Sequence, residues 1–111
     1  MSALDVVEAQ LLAYNAQDIE AFCACFAEEC VLADLNGAVT QASIGQIRER
    51  YATLFALHPG NKARVLHRIA VGDVVIDHEE VSRTPEESFE AVAIYTVKDQ
   101  RIVRVDFVRA P

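Results

Sequence analysis

The sequence has no tryptophan, one methionine, four glycines and three prolines in 111 residues. So little glycine and proline excludes a collagen-like chain, and neither a linker nor an internal repeat interrupts it. Basic residues are also scarce, ten against seventeen acids, for a formal charge of −7. A surface this acidic repels phosphate backbones and anionic bilayers, so neither nucleic acid nor membrane is expected as a partner. Long hydrophobic runs are missing too, because charges cut every apolar segment short of a bilayer span. Met1-Ser2-Ala3-Leu4-Asp5 lacks the basic start and apolar stretch of a signal peptide, which points to the cytoplasm. The three cysteines, Cys23, Cys25 and Cys30, are odd in number and clustered, a poor disulfide framework that fits the same compartment. There is no phosphate-binding loop, dinucleotide fingerprint, nucleophile elbow or metalloprotease helix motif, so no cofactor is implied.

What is present is a chain that is 52% hydrophobic and 24% charged, enough to build a real core and too apolar for disorder. Its length suits one domain over residues 1–111. Ser2 and Asp5 make a capping box, and Leu4, Val7, Leu11 and Tyr14 form one stripe of a first helix. Asp18 caps a short second helix whose apolar face is Ile19, Phe22, Cys23, Phe26 and Cys30. A third helix starts near Ser43, buries Ile44, Ile47, Tyr51 and Leu54, and ends at His58-Pro59-Gly60. Between the second and third helices, Asn36-Gly37 flanked by apolar residues predicts a hairpin over residues 31–40. Arg64 to Val71, Val74 to Arg83, Ser88 to Val97 and Arg101 to Arg109 then read as strands. Their connections are too short for parallel crossovers, so the meander is antiparallel and the fold class α+β.

That order, together with Tyr14-Asn15-Ala16-Gln17-Asp18, the run from Cys25 to Asp34, and Gly72-Asp73-Val74-Val75-Ile76-Asp77-His78-Glu79, resembles the nuclear transport factor 2-like superfamily. Arg101-Ile102-Val103-Arg104-Val105 fits it as well. Members include ketosteroid isomerases and SnoaL-like polyketide cyclases. The resemblance implies a cone-shaped, cystatin-like fold, with three N-terminal helices on a curved, mainly antiparallel sheet. It also implies an apolar pocket at the wide end, suited to a small apolar molecule held by a few polar groups. It fixes no reaction.

By the resemblance, Asp34 matches the general base of ketosteroid isomerases. Such a carboxylate, if dry, gains a pKa suited to proton transfer; an ordinary hairpin aspartate is the other reading. The isomerase's two oxyanion donors fall at Gln10 and Val92 in this register, and valine cannot donate. Authentic ketosteroid isomerase activity is therefore not expected. Tyr14 and Tyr51 complete apolar stripes and either belong to the core or turn a hydroxyl to a ligand. In Asp77-His78-Glu79-Glu80, alternation sets His78 and Glu80 on one face and Asp77 and Glu79 on the other. His78 is a candidate catalytic residue, Glu79 a pocket residue, and a solvated face the competing reading. His67 falls opposite His78 across the Gly72-Asp73 turn. A histidine–histidine–carboxylate metal set with Glu80 is conceivable there, but a plain cross-strand pair is commoner, and no metal is assigned. Glu90 and Val92 are read as facing the pocket, as are Phe107 and, by the same parity, Arg109. Phe89, Ala91, Ala93 and Tyr95 then read as an exposed apolar strip on the outer sheet face, where a homodimer would form. Three readings stay open: a proton-transferring enzyme of isomerase or cyclase type acting on a carbonyl compound, a non-catalytic binding module, and a dimeric interaction domain.

Overall fold

A computed structural model describes residues 1–109; Ala110 and Pro111, the end of the domain assigned above, lie outside the described residues. The first helix, α1 (Ala3–Ala16), starts at the capping box: Ser2 Oγ accepts from the Asp5 amide and the Asp5 carboxylate accepts from the Ser2 amide. Both bonds satisfy amides that have no partner in the first helical turn. The buried stripe is Val6, Val7, Gln10, Ala13 and Tyr14, rotated from the expected one so that Leu4 is exposed and Gln10 is enclosed.

Helix α2 (Ile19–Cys23) is capped by Asp18 and is shorter than the apolar spacing suggests. Strand β1 (Phe26–Asp34) takes over Phe26 and Cys30. Pairing explains the difference: β1 lies along the last strand, β6 (Arg101–Arg109), and Phe26 is the register partner of Ile102. A helix there would leave the β6 ladder open on that side. The short β2 (Val39–Gln41) closes the hairpin, and α3 (Ile44–Leu57) follows with Ser43 as its cap.

The remaining strands are β3 (Lys62–Val71), β4 (Val74–Thr84) and β5 (Glu87–Lys98). The sheet order is β2-β1-β6-β5-β4-β3, with only β1 and β6 parallel. The helices cover one face. On that face stand Val75, Asp77, Glu79 and Val81 of β4 and Ala91, Ala93, Tyr95 and Val97 of β5, all buried. The inward set of β5 is therefore the one expected to lie outside. Phe89, Ala91, Ala93 and Tyr95 pack toward the helices, while Glu90 and Val92 point the other way and are respectively exposed and half-buried. Of the two sets, the one without charge or hydroxyl-bearing small residues is buried, which is the cheaper arrangement in desolvation. None of the helices is long and apolar enough to cross a membrane among the described residues.

Candidate functional site

Between the helices and the sheet lies a partly open cavity of about 330 Å³. Its walls are mostly apolar, with Phe22, Phe26, Leu32, Val81 and Val105 among the lining. The aromatic wall is tightly organised: Phe22 lies 4.6 Å from Tyr51 and 4.9 Å from Phe26 between ring centroids, and Tyr14 meets Phe55 edge-on at 5.7 Å. Such offset and edge contacts fix ring positions as well as burying area.

The structure brings together Gln10, Tyr14, Tyr51, Glu79 and Phe107 around this cavity. It separates the other sequence candidates from them. His67, His78, Glu90 and Val92 sit on the face of the sheet away from the helices, because β4 and β5 turn their even-numbered residues outward and the β3 register sets His67 opposite His78. The two imidazoles stack at 5.4 Å, and His78 Nε2 meets Glu90 Oε1 at 2.6 Å, a cross-strand polar cluster in place of pocket residues. Asp34 is the register partner of Phe107 at the end of β1, yet it is exposed and outside the cavity lining. Its backbone is committed to the turn, donating to Ala38 O and accepting from the Gly37 amide.

Among the described residues Glu79 is the one carboxyl in the lining, and it is buried. Desolvation, reinforced by repulsion from Asp77 and only partly offset by Arg68, raises its pKa from the ordinary 4.5 to about 7. Across the strand ladder it faces Ala91, as Asp77 faces Ala93, so each inward acid stands opposite the smallest side chain that still carries a β-carbon. Asp77 has a different environment. Arg68 grips both of its oxygens, at 2.6 and 3.0 Å, and reaches Glu8 of α1 at 2.9 Å. That trio ties the first helix to the sheet outside the cavity lining.

On the helical wall, Tyr14 Oη accepts a hydrogen bond of 2.6 Å from Asn61 Nδ2, and Asn61 Oδ1 accepts one of 2.7 Å from Arg83. With its oxygen already accepting, the Tyr14 hydroxyl proton remains for another acceptor, and the guanidinium behind the chain strengthens it as a donor. Burial raises the pKa values of Tyr51 and Tyr95, keeping both phenols neutral. Gln10 Oε1 is buried without a hydrogen-bond partner among the described residues, an acceptor left open in the same wall. Such an atom is costly unless a ligand or water completes it.

Two arginines of the lining, Arg50 and Arg83, escaped the sequence reading, as did Asn61 behind Tyr14. Parity was the available signal for Arg83, two and four residues after the inward Val81 and Glu79. Arg50 adjoins Tyr51 on α3 and lies over two rings, 5.2 Å from that of Tyr51 and 5.7 Å from that of Phe107. Asn61 follows the helix-ending His58-Pro59-Gly60, where a turn residue is the ordinary expectation, and only tertiary structure shows that it is wholly buried.

None of the curated proteins matches the chain in sequence. Among solved structures, an uncharacterised cystatin-fold protein from Novosphingobium aromaticivorans is 31% identical, with a TM-score of 0.92 over 98% of this chain and 99% of that one. An epoxide hydrolase of the LEH-like type from M. tuberculosis superposes with a TM-score of 0.79 at 17% identity, over 97% of this chain and 82% of that one. A protein of ketosteroid isomerase-like fold from Catenulispora acidiphila gives 0.77 at 16% identity, over 94% and 84%. These last two likenesses are of fold alone. The sequence signature of the SnoaL-like domain runs through residues 7–105, nearly the whole of the fold just described, and the chain belongs to the SnoaL-like domain family.

Proposed function

We propose that the cavity is an acid–base site that moves a proton on a small, mainly apolar carbonyl compound, as in isomerase- or cyclase-type reactions, with Glu79 as the proton-transferring group. The observation that carries this reading is a buried carboxyl in an apolar chamber, without a cationic partner of its own and with a pKa of about 7. A group half-protonated near neutral pH can both take and return a proton. In this scheme the Glu79 carboxylate removes a proton from carbon beside the carbonyl. The electron pair moves onto the carbonyl oxygen, and the Tyr14 hydroxyl stabilises it by hydrogen bonding. Protonated Glu79 then returns the proton to the same or another carbon, and no outside reactant is needed. Glu79 takes the place first given to Asp34, whose exposure keeps its carboxylate solvated.

The test is α-proton exchange into deuterated water, followed by NMR, on a panel of cyclic enones, β-keto esters and lactones. Glu79→Gln should lower exchange on any active compound by about 100- to 10,000-fold. Asp34→Asn should leave it within about threefold, since that change removes only a solvated charge. The opposite ranking would return the base to Asp34. Binding without any exchange would make the protein a binding module.

A cytoplasmic setting belongs to this reading and is consistent with three unpaired thiols. So does a homodimer through the sheet face away from the helices, where Ile76, Val92 and Ile94 are only partly covered and Ile69 is 59% exposed.

A further inference from the structure

The chain carries ten basic residues, and three of them, Arg50, Arg83 and Arg109, line one cavity. None of the three forms an ion pair among the described residues, whereas Arg48, Arg64, Arg68 and Arg104 each do. Lys62, Lys98 and Arg101 make no ion pair among the described residues either, but of the six unpaired cations only Arg50, Arg83 and Arg109 gather around this cavity, a distinct electrostatic feature on a chain with a formal charge of −7. Among the described residues the one acid in that lining is Glu79, which is not fully ionised near neutral pH.

Aromatic faces hold these cations in place of carboxylates. Arg50 and Arg109 lie over the same ring, that of Phe107, at 5.7 and 5.1 Å, and Arg83 lies 5.1 Å from the ring of Phe89. Stacking on a ring uses a guanidinium's face and leaves its N–H edge free to bond an anion. Arg50 donates to Gln41 Oε1, and Arg83 to Asn61 Oδ1 and, at 3.5 Å, to Tyr14 Oη, and each keeps further donors. Deeper in, the lining turns aromatic and aliphatic at Phe22, Phe26, Leu32 and Val105. The chamber is thus apolar inside and cationic at Phe107, where β6 ends.

The last turn of α3, with Leu54, Leu57 and His58, also borders the cavity. A helix C-terminus presents carbonyl oxygens and partial negative charge, which opposes a multiply charged anion more than a single one. No helix N-terminus lies in the lining to favour a phosphate.

From this arrangement we infer that the ligand is an amphipathic monocarboxylate, its apolar body among the inner rings and its carboxylate on the guanidinium edges of Arg50 and Arg109. The inference rests on the chamber reading above and names its substrate class: a carbonyl compound that also bears one ionised carboxyl group, remote from the reacting carbon. Arg83, tied to Tyr14 through Asn61, stands nearer the proposed proton-transfer machinery and is left out of the carboxylate clamp.

The test uses a matched pair of probes, 2-naphthylacetate and its methyl ester, which share the apolar body and differ in charge. Isothermal titration at pH 6, where Glu79 is mostly neutral and an arylacetate is ionised, and at low salt should show the acid binding at least tenfold more tightly than the ester. That advantage should shrink as salt rises from 20 to 500 mM, about as expected for a partly exposed ion pair. Arg50→Gln with Arg109→Gln should abolish the advantage while ester binding persists, and Arg50→Lys with Arg109→Lys should restore part of it. Equal binding of acid and ester overturns the monocarboxylate and leaves the apolar chamber standing. Failure of both probes to bind overturns the chamber reading along with it. An advantage that survives the double glutamine variant places the anion elsewhere and also overturns the inference.

Discussion

Asp77 and Glu79 leave the same strand on the same side, two residues apart, both buried and both opposite an alanine of β5. One is gripped by a bidentate guanidinium and helps anchor α1, while the other receives no direct cation and is driven toward neutrality. The difference lies in what each strand neighbour supplies. Asp77 pairs across the ladder with Arg68, whereas Glu79 pairs with Val65. A single register position decides which acid is structural and which is available for chemistry. Ion pairing at the first fixes a helix, and its absence at the second leaves a group able to exchange protons.

Breaking the first half of that contrast should have the largest effect. Arg68→Met leaves Asp77 buried without its counter-charge, and denaturant unfolding should show a loss of about 3–5 kcal/mol. Adding Asp77→Leu should recover most of it, because an apolar pair needs no compensation. The second half is sharpened by Glu79→Gln. Glu79's folded-state pKa of about 7 lies above its ordinary 4.5, so its contribution to stability is fully present below 4.5 and is lost as pH rises through 7. The glutamine variant escapes that loss. It should be more stable than the parent by about 3 kcal/mol at pH 8 and equal to it at pH 4, in unfolding curves taken at both values. A stability difference independent of pH would show that the effect is one of packing.

A smaller effect is expected where the cavity borrows support from behind. Asn61→Ala removes the donor to Tyr14 and strands the Arg83 guanidinium, and should cost about 1–3 kcal/mol in the same unfolding assay. The smallest concerns reactivity alone. Burial pushes the Cys30 thiol up to about 12 and encloses Cys23, whereas Cys25 is partly open. A thiol reagent at pH 8 should therefore modify Cys25 first and reach the other two only on unfolding.

The local parts of this architecture were legible in the sequence because they are set by neighbours in the chain. Ser2 with Asp5, Asp18 at α2, and Gly72 with its positive φ in the β3–β4 turn each carry their own chemistry. The helix-to-strand boundary near Phe26 was not legible, since the deciding partner is Ile102, far along the chain. Strand faces were harder still. β5 offers apolar residues on both sides, so alternation finds the faces without saying which one meets the helices. On β4 the buried face carries two acids and the outer face an isoleucine, the reverse of what hydropathy favours. The candidate site shows the same division. Tyr14 and Tyr51 could be placed by helical spacing, Gln10 by the resemblance and Arg109 by strand parity, but the cationic opening as a whole could not, because Arg50, Arg83 and Arg109 come from three separate elements.

The position of β6 has a consequence for how this chamber comes into being. It lies between β1 and β5, bonded in parallel to one and antiparallel to the other, so the first and last strands in chain order meet inside the sheet. Closing so long a loop is slow, and partial sheets lacking β6 gain little to offset its entropy. Val105, Phe107 and Arg109, which line the cavity, arrive only with that strand. The capacity to hold a ligand therefore arises in the same cooperative step that completes the fold, and a bound molecule would slow global unfolding as well as loop motion.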